Sequence, residues 1–342
     1  MSMTDPSPDR PVAPEALEFD LDGENPLRPR SFDEFVGQES TVRNLRIYLQ
    51  AALERGEPID HILFSGLPGL GKTTLSSLIA GEMGSNLVTT SGPALERPAD
   101  LAGILTNLAR GDCLFIDEIH RTNHLVQEYL HTAMEDYFID VVMDQGPNAR
   151  TLRLDIAPFT LIGATTRQGL LTGPFRNRFP IHEKLEPYPV GDLVRIVVRS
   201  ARLLGVEIEP EAAGMVAARS RGTPRIANRI LRRVRDLAQV RGTRAIDSGI
   251  ADEGMDMLGI DGAGLDAVDR KLLESLLRHG GGPIGLKTLA VMVGETEDTI
   301  EDVYEPFLIQ CGFLLRSPRG RLATQAAEAH LRARSIPHRT LR

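Results

Sequence analysis

The sequence predicts an α/β fold, a parallel sheet built around a phosphate-binding loop, followed by a small all-helical unit and a C-terminal winged helix. Three patterns carry that expectation. From residue 28 to about 185, short apolar runs alternate with helix-like stretches; from 190 to 258 the strand-like runs vanish; from about 266, three helix-like stretches precede two short runs joined by a turn.

Residues 1–24 set Pro6, Pro8, Pro11 and Pro14 among acids, with too little apolar surface to offset the entropy of ordering, so a disordered start is expected. The runs 61–65, 113–116 and 159–164 then read as buried strands, and 42–54, 73–83 and 126–135 as helices between them. Segment 136–156 breaks the order with two alternating runs around Asp144-Gln145-Gly146-Pro147-Asn148, which reads as a hairpin. Ile139, Val141 and Met143 share one face, as do Leu152, Leu154 and Ile156; periodicity alone leaves open whether this stripe packs inward or faces out. Apolar spacing of three and four predicts helices at 193–204, 212–219 and 226–240, and again at 266–278, 286–293 and 299–311. Strands at 313–316 and 321–324 flank Ser317-Pro318-Arg319-Gly320 and complete the wing. The expected units are 1–24, 25–187 with the inserted hairpin 136–156, 188–258, and 259–342.

A chain of 342 residues exceeds what one core organises, which supports the division into units. With 42% hydrophobic and 25% charged residues, disordered and fibrous classes are excluded. No apolar run approaches the ~18 residues of a spanning helix, and the acidic start is unlike an export signal, so no membrane association and a cytoplasmic protein are expected. Cys113 and Cys311 lie far apart in apolar segments, as buried free thiols would. The net charge of −8 argues against nucleic acid, but residues 314–342 hold seven arginines (316, 319, 321, 332, 334, 339, 342) against Glu328 alone. An acidic body with a basic end is what results when one unit alone touches phosphates.

The strongest chemical signal is Gly66-Leu67-Pro68-Gly69-Leu70-Gly71-Lys72-Thr73-Thr74, between a strand and a helix. Glycines let backbone N–H groups close around a phosphate chain at a helix N-terminus, Lys72 reaches the outer phosphates, and Thr73 ligates Mg²⁺. Cys113-Leu114-Phe115-Ile116-Asp117-Glu118 is a buried strand ending in two carboxylates. Asp117 would hold Mg²⁺ and Glu118 would orient the attacking water at the sheet edge where ligands gather; two acids at a solvated strand end are the commoner case when no phosphate loop accompanies them. Asp117-Glu118-Ile119-His120 also spells the box of another helicase superfamily, which requires a second sheet domain that the helical remainder leaves no room for.

Strand 159–164 runs into Thr165, Thr166 and Arg167, and either hydroxyl could sense the γ-phosphate, although threonine also suits strands for its own shape. In Pro174-Phe175-Arg176-Asn177-Arg178-Phe179, an arginine from a neighbouring subunit could add ~10³–10⁵ in rate; the alternative is a surface pair. Gly222-Thr223-Pro224-Arg225 opens a helix from which Arg225 could fold onto the phosphates, with Arg229, Arg232, Arg233 and Arg235 as its solvated face. His124, Glu128 and His131 have zinc-ligand spacing, but without a third strong ligand nearby a solvated helix face is the better reading.

These strings, with Met134-Glu135-Asp136-Tyr137, Gly222–Arg229 and Asp298-Thr299-Ile300-Glu301-Asp302, resemble the RuvB family of AAA+ ATPases, bacterial motors of Holliday-junction branch migration, from Arg28 to Thr324. The resemblance implies that Leu27 and Arg28 flank the adenine pocket. It assigns Gly69, Gly71, Lys72, Thr73 and Thr74 to phosphates and Mg²⁺, and implies that Glu135, Asp136, Tyr137, Tyr188 and Arg225 complete the ATP site. It makes Arg178 the finger reaching an adjacent subunit and puts Arg316 and Arg321 on duplex or four-way junction DNA, to which Arg319 in the basic turn adds a phosphate contact without sequence preference. It further implies a homo-hexamer, docking of RuvA on hairpin 136–156, and a RuvC-type resolvase as a further partner. Glu297 departs from relatives that carry Arg there, which weakens one expected phosphate contact, and Leu67 replaces a usual Pro. Two rivals are a clamp-loader or initiator-type switch and a DNA-binding regulator with a vestigial ATP fold; intact Lys72, Glu118 and Arg178 oppose the second.

Overall fold

The computed structural model describes residues 25–142, 151–280 and 282–334. The expectations for 1–24 and for the turn 144–148 lie outside these residues, as do Met143, Arg339 and Arg342.

The strands of the first unit are β1 (Ile62–Ser65), β2 (Leu87–Ser91), β3 (Cys113–Asp117), the hairpin pair β4 (Phe138–Val142) and β5 (Thr151–Asp155), then β6 (Thr160–Thr165) and β7 (Ile181–Lys184). Five form one parallel sheet in the order β2-β3-β6-β1-β7. Helices α1 (Glu39–Arg55), α2 (Lys72–Met83), α3 (Pro98–Leu105), α4 (His124–Asp136) and the short α5 (Gly173–Arg176) surround it. Central strands covered on both faces are nearly continuous apolar runs, and β1 and β6 are buried at every position, with hydroxyl residues only at their ends. Edge strands escape that rule: β2 is half-buried and β7 alternates, so neither shows the continuous apolar run by which the others are legible in the sequence. The register sets Ser65 opposite Thr165 and carries β3 beside β6, so that the carboxyl ends of β1, β3 and β6 share one edge.

Hairpin β4–β5 pairs Ile139 with Leu154 and Val141 with Leu152. The expected stripe is divided by depth: Ile139 and Ile156 are buried in the core and Val141 and Leu154 pack half-buried against it, whereas Leu152 is 46% exposed.

The second unit holds α6 (Val190–Leu203), β8 (Glu207–Ile208), α7 (Pro210–Ala218), α8 (Pro224–Arg241), β9 (Ala245–Ile246) and α9 (Ser248–Met257). The expectation of an all-helical unit is corrected by one detail, a two-residue parallel pairing of β8 with β9 that ties two loops together and is too short to leave a pattern. Its apolar face (Ala212, Ile230, Val234) belongs to the same core as Ile62 and Phe64, so this lid packs onto the sheet domain.

The third unit has a separate core around Leu272, Leu289, Ile300, Leu308 and Leu314. It comprises α10 (Ala267–Arg278), α11 (Leu286–Val293), α12 (Glu297–Thr299), a π-helical turn (Ile300–Tyr304), α13 (Glu305–Gln310), β10 (Leu314–Ser317), β11 (Gly320–Ala323) and α14 (Gln325–Arg334). The third helix is therefore interrupted where a regular one was expected. Pro306 offers no N–H to the carbonyl of Asp302, which leaves the preceding turn to widen. Thr296 caps α12, and Glu297 sits in its first turn, where a negative charge suits the helix dipole. In the wing, Gly320 has φ 137° and a Cβ there would stand 2.2 Å from the Ile284 carbonyl oxygen, so only glycine lets β11 close on Ile284. Cys113 is buried and Cys311 half-buried, both as free thiols. Among the described residues no helix is long and apolar enough to cross a membrane.

Candidate active site

The loop from Gly66 to Gly71 turns from β1 into α2 with its three glycines at positive φ. Gly66 is fixed by proximity, since a Cβ would meet the Leu185 carbonyl oxygen at 2.5 Å. Lys72 Nζ donates to the carbonyls of Gly66 (2.8 Å) and Leu67 (2.9 Å). Burial lowers the affinity of this amine for its proton, while the Asp117 and Glu118 charges oppose that shift. A cavity of about 270 Å³ opens in front of the loop.

Most residues expected at the nucleotide line this one cavity: Leu27, Arg28, Gly69, Gly71, Lys72, Thr73, Thr74, Asp117, Glu118, Tyr188 and Arg225. Tyr188 donates its hydroxyl to the Leu70 carbonyl at 3.2 Å. Phe35, Ile196, Arg199 and Asn228 line it too and escaped the sequence reading. Arg199 donates to the Leu27 carbonyl at 2.9 Å and pairs with Glu34 at 2.6 Å, which holds the Leu27–Arg28 wall in place. Its spacing on α6 is that of any exposed arginine, so only tertiary packing reveals it.

Asp117 ends β3, and Glu118 follows in the left-handed region at φ 47°. Such strain in a non-glycine residue persists only where its surroundings impose it. Gly92 is one cause: a Cβ there would lie 2.3 Å from the Glu118 carbonyl oxygen. The Glu118 carboxylate accepts from Thr166 Oγ1 at 3.1 Å and lies 3.1 Å from His120 Nδ1. Burial raises its affinity for a proton, the Asp117 charge adds to this, and Lys72 opposes it. Thr165 Oγ1 lies 2.9 Å from the same His120 nitrogen and accepts the Arg167 backbone N–H at 3.0 Å. The two strand-end hydroxyls and Glu118 thus form one hydrogen-bonded cluster. His120 joins them, a role that the Asp117–His120 string suggested only for a different superfamily.

Glu135, Asp136, Tyr137 and Arg178 do not line their own chain's cavity. Arg178 instead pairs with Glu135, Nε to Oε1 at 2.9 Å and Nη2 to Oε2 at 3.0 Å, beside the base of the hairpin. In the wing, Arg316 and Arg319 are exposed. Arg321 is held by Glu305 (2.6 Å) and Glu301 (2.7 Å), and Arg316 reaches the same two acids. His131 stacks on Phe175 while His124 and Glu128 meet at the surface, so the three do not converge.

A phosphate loop on a five-stranded parallel sheet, an acid pair at the same edge and a helical lid bringing Arg225 into the cavity define a P-loop ATPase of the AAA+ class. Three family profiles match: the Holliday junction DNA helicase RuvB P-loop domain over residues 27–185, the RuvB AAA lid domain over 188–261, and the RuvB C-terminal winged helix domain over 262–332. The chain belongs to the RuvB family. It is 55% identical over 327 residues to the Holliday junction branch migration complex subunit RuvB of Myxococcus xanthus, covering 95% of each chain. To its counterpart from Salinibacter ruber it is 56% identical over 317 residues, 92% of each. The solved Thermotoga maritima RuvB Holliday junction branch migration motor superposes with a TM-score of 0.83 at 50% identity, covering 90% of this chain and 98% of that one.

Proposed function

We propose that this chain is the ATP-driven motor subunit for branch migration of Holliday junctions, pulling duplex DNA as a hexameric ring together with RuvA. The observation that carries the reading is the single cavity shared by the sheet edge and the lid, on a chain that also bears a winged helix. The class explains ATP turnover, and the family profiles and relatives support the substrate. Within this reading the large domain is 25–187, the lid 188–258 and the winged helix 259–342.

Lys72 and the backbone N–H groups of Gly69 and Gly71 bind the outer phosphates. Thr73 and Asp117 are hard oxygen donors on one cavity wall, which suits Mg²⁺ with several retained waters. That ion, when bound, supplies charge neutralisation at the phosphates. Glu118 orients the attacking water and takes its proton, with Thr166 bonded to its carboxylate and Thr165 joined to it through His120. Arg225, on the lid, ties the phosphate state to lid rotation. Arg178, outside its own cavity, serves the neighbouring subunit's nucleotide, and the adjacent Glu135–Tyr137 stretch goes with it. Arg316 and Arg319 track the DNA backbone without reading sequence, and Arg321 supports them. RuvA docks on the hairpin through exposed Leu152, a RuvC-type resolvase shares the junction, and the work is cytoplasmic.

The test is ATP-dependent dissociation of a synthetic four-way junction with and without RuvA. Dissociation that requires ATP and is stimulated by RuvA is the expected result. ATP turnover without junction movement overturns the motor reading in favour of a loading switch.

A further inference from the structure

The Asp298–Asp302 string lies outside the lining of the nucleotide cavity but meets arginines of two domains. Arg167, two residues beyond Thr165, extends from the ATPase domain onto the winged helix. Its Nε donates to Asp302 Oδ1 at 2.6 Å, and its terminal nitrogen reaches Asp298 at 3.3 Å and Glu301 Oε2 at 3.4 Å. The other oxygen of Glu301 is shared by the wing arginines, with Arg316 at 2.6 Å and Arg321 at 2.7 Å. The π-helical turn at Ile300–Tyr304 places Glu301 between Arg167 and the wing arginines, with Asp302 on the Arg167 side, and such turns concentrate where helices are put to functional use.

The winged helix is also joined to the lid, by a contact of a different kind. Arg221 pairs with Asp266 at 2.8 Å and Asp269 at 2.6 Å, donates to the Gly264 carbonyl at 3.1 Å, and lies over the Phe307 ring. Its side chain is 7% exposed, against 25% for Arg167. The lid joint is a sealed pivot. The Arg167 contact is open to water and can exchange partners.

We propose that Arg167 is a positioning residue that carries the state of the nucleotide site to the DNA-contacting wing, by competing with Arg316 and Arg321 for the carboxylates around Glu301. This rests on the motor reading above. The Thr165 hydroxyl that accepts the Arg167 backbone N–H belongs, through His120, to the cluster containing Glu118, so a change in its partners between ATP and ADP moves that backbone. When Arg167 withdraws, Glu301 and Glu305 hold the wing arginines with the charges of Asp298 and Asp302 left uncompensated nearby, and their attraction for phosphate falls. When it engages, part of that negative charge is neutralised and the wing is freed to grip.

The experiment measures duplex-DNA affinity of the full chain with a non-hydrolysable ATP analogue and with ADP, across a salt series. Wild type is expected to differ between nucleotides on the order of tenfold, within the usual range for coupled sites. Arg167→Ala should bring that ratio close to one and weaken DNA binding in both states. The double variant Asp298→Asn/Asp302→Asn, on the other side of the contact, should also bring the ratio close to one but strengthen DNA binding, because two negative charges are removed from beside the wing arginines. Opposite signs on affinity with the same loss of coupling do not arise from misfolding. Retention of the wild-type ratio in either variant, or a wild type that hydrolyses ATP and binds duplex without any ratio, overturns this inference alone. A wild type that does neither overturns the functional reading and this inference with it.

Discussion

Gly69 of the phosphate loop and Arg225 of the lid touch: a Cβ on the glycine would stand 2.9 Å from the Arg225 Cβ. The glycine-rich loop and the lid helix that carries Arg225 therefore pack backbone to side chain. Gly69 also holds φ 80°, a region that other residues occupy at a cost of roughly 1–3 kcal/mol. Gly69→Ala is expected to lower nucleotide affinity by at least about tenfold, because the strain and the clash both act where the loop must close. Calorimetric titration with ADP checks this; unaltered binding would show that the loop and lid separate when nucleotide enters.

Glu118 is pinned in the left-handed region beside Gly92 and bonded to Thr166, so its carboxylate direction is set before any substrate arrives. Glu118→Gln keeps the shape and removes the base. ATP turnover should fall by ~10²–10⁴-fold, the usual contribution of a positioned base, while nucleotide binding persists. Residual wild-type hydrolysis in a single-turnover assay would remove Glu118 from its assigned role.

What the sequence made legible follows from where chemistry and burial coincide. Strands β1, β3 and β6 are buried and so read as apolar runs, and each ends in a proposed site element: the loop, Asp117 and Thr165. Edge strands β2 and β7, α3, α9 and α14 were not read out, because short or half-exposed elements carry little periodicity. Site residues contributed by packing were equally silent. Arg199 and Phe35 reach the cavity from separate elements, and Gly92 acts only by leaving room for Glu118. Arg321 was legible as a basic wing residue, but its enclosure by Glu301 and Glu305 depends on the widened turn before Pro306, which no local pattern announces.

The hairpin offers a separable test. Ile139 and Ile156 are core residues, and changing them would destabilise the domain rather than probe docking. Leu152 is the exposed end of the same stripe, paired across from Val141, so Leu152→Asp changes an exposed position and leaves the buried ones in place. RuvA-stimulated junction unwinding is expected to drop at least about tenfold, the effect of placing a charge in an apolar contact, with intrinsic ATPase unchanged. Pull-down with RuvA reads the interaction directly, and undiminished complex formation would exclude this face.

The lid-to-wing pivot predicts a pH dependence. Burial pushes the Asp269 carboxyl up to about 7, and although Arg221 opposes the shift, its Oδ1 has no hydrogen-bond partner. Asp266 behaves differently: burial pushes it up, but the Arg221 charge and neighbouring N–H groups hold it below its usual 3.8. For Asp269 the folded value exceeds the unfolded one, so its stabilising contribution is complete below 3.8 and is lost as pH rises to about 7. The contribution of Asp266 is complete above 3.8 and is lost only as pH falls below that value, outside the window. Stability should therefore carry a component falling by about 1.4 kcal/mol per pH unit between 4 and 7. Thermal unfolding of wild type and Asp269→Asn across that range should differ in slope, with the variant flatter; parallel curves would mean that Asp269 stays ionised beside Arg221.

Arg178 stands apart from its own cavity and is occupied by Glu135, which makes its proposed service to a neighbour testable by mixing. Lys72→Ala disables a cavity but leaves its finger intact, whereas Arg178→Ala leaves a cavity intact but withholds the finger. Each alone should hydrolyse ATP at least ~10³-fold more slowly, given what a trans arginine contributes. In mixed rings, a sound cavity will sometimes face a sound finger, and the rate should recover to a fraction set by random neighbour statistics. Turnover measured at varied mixing ratios, alongside a crosslinking control for co-assembly, decides the matter. If mixed rings form and no hydrolysis returns, Lys72 and Arg178 do not meet at one phosphate across a subunit boundary.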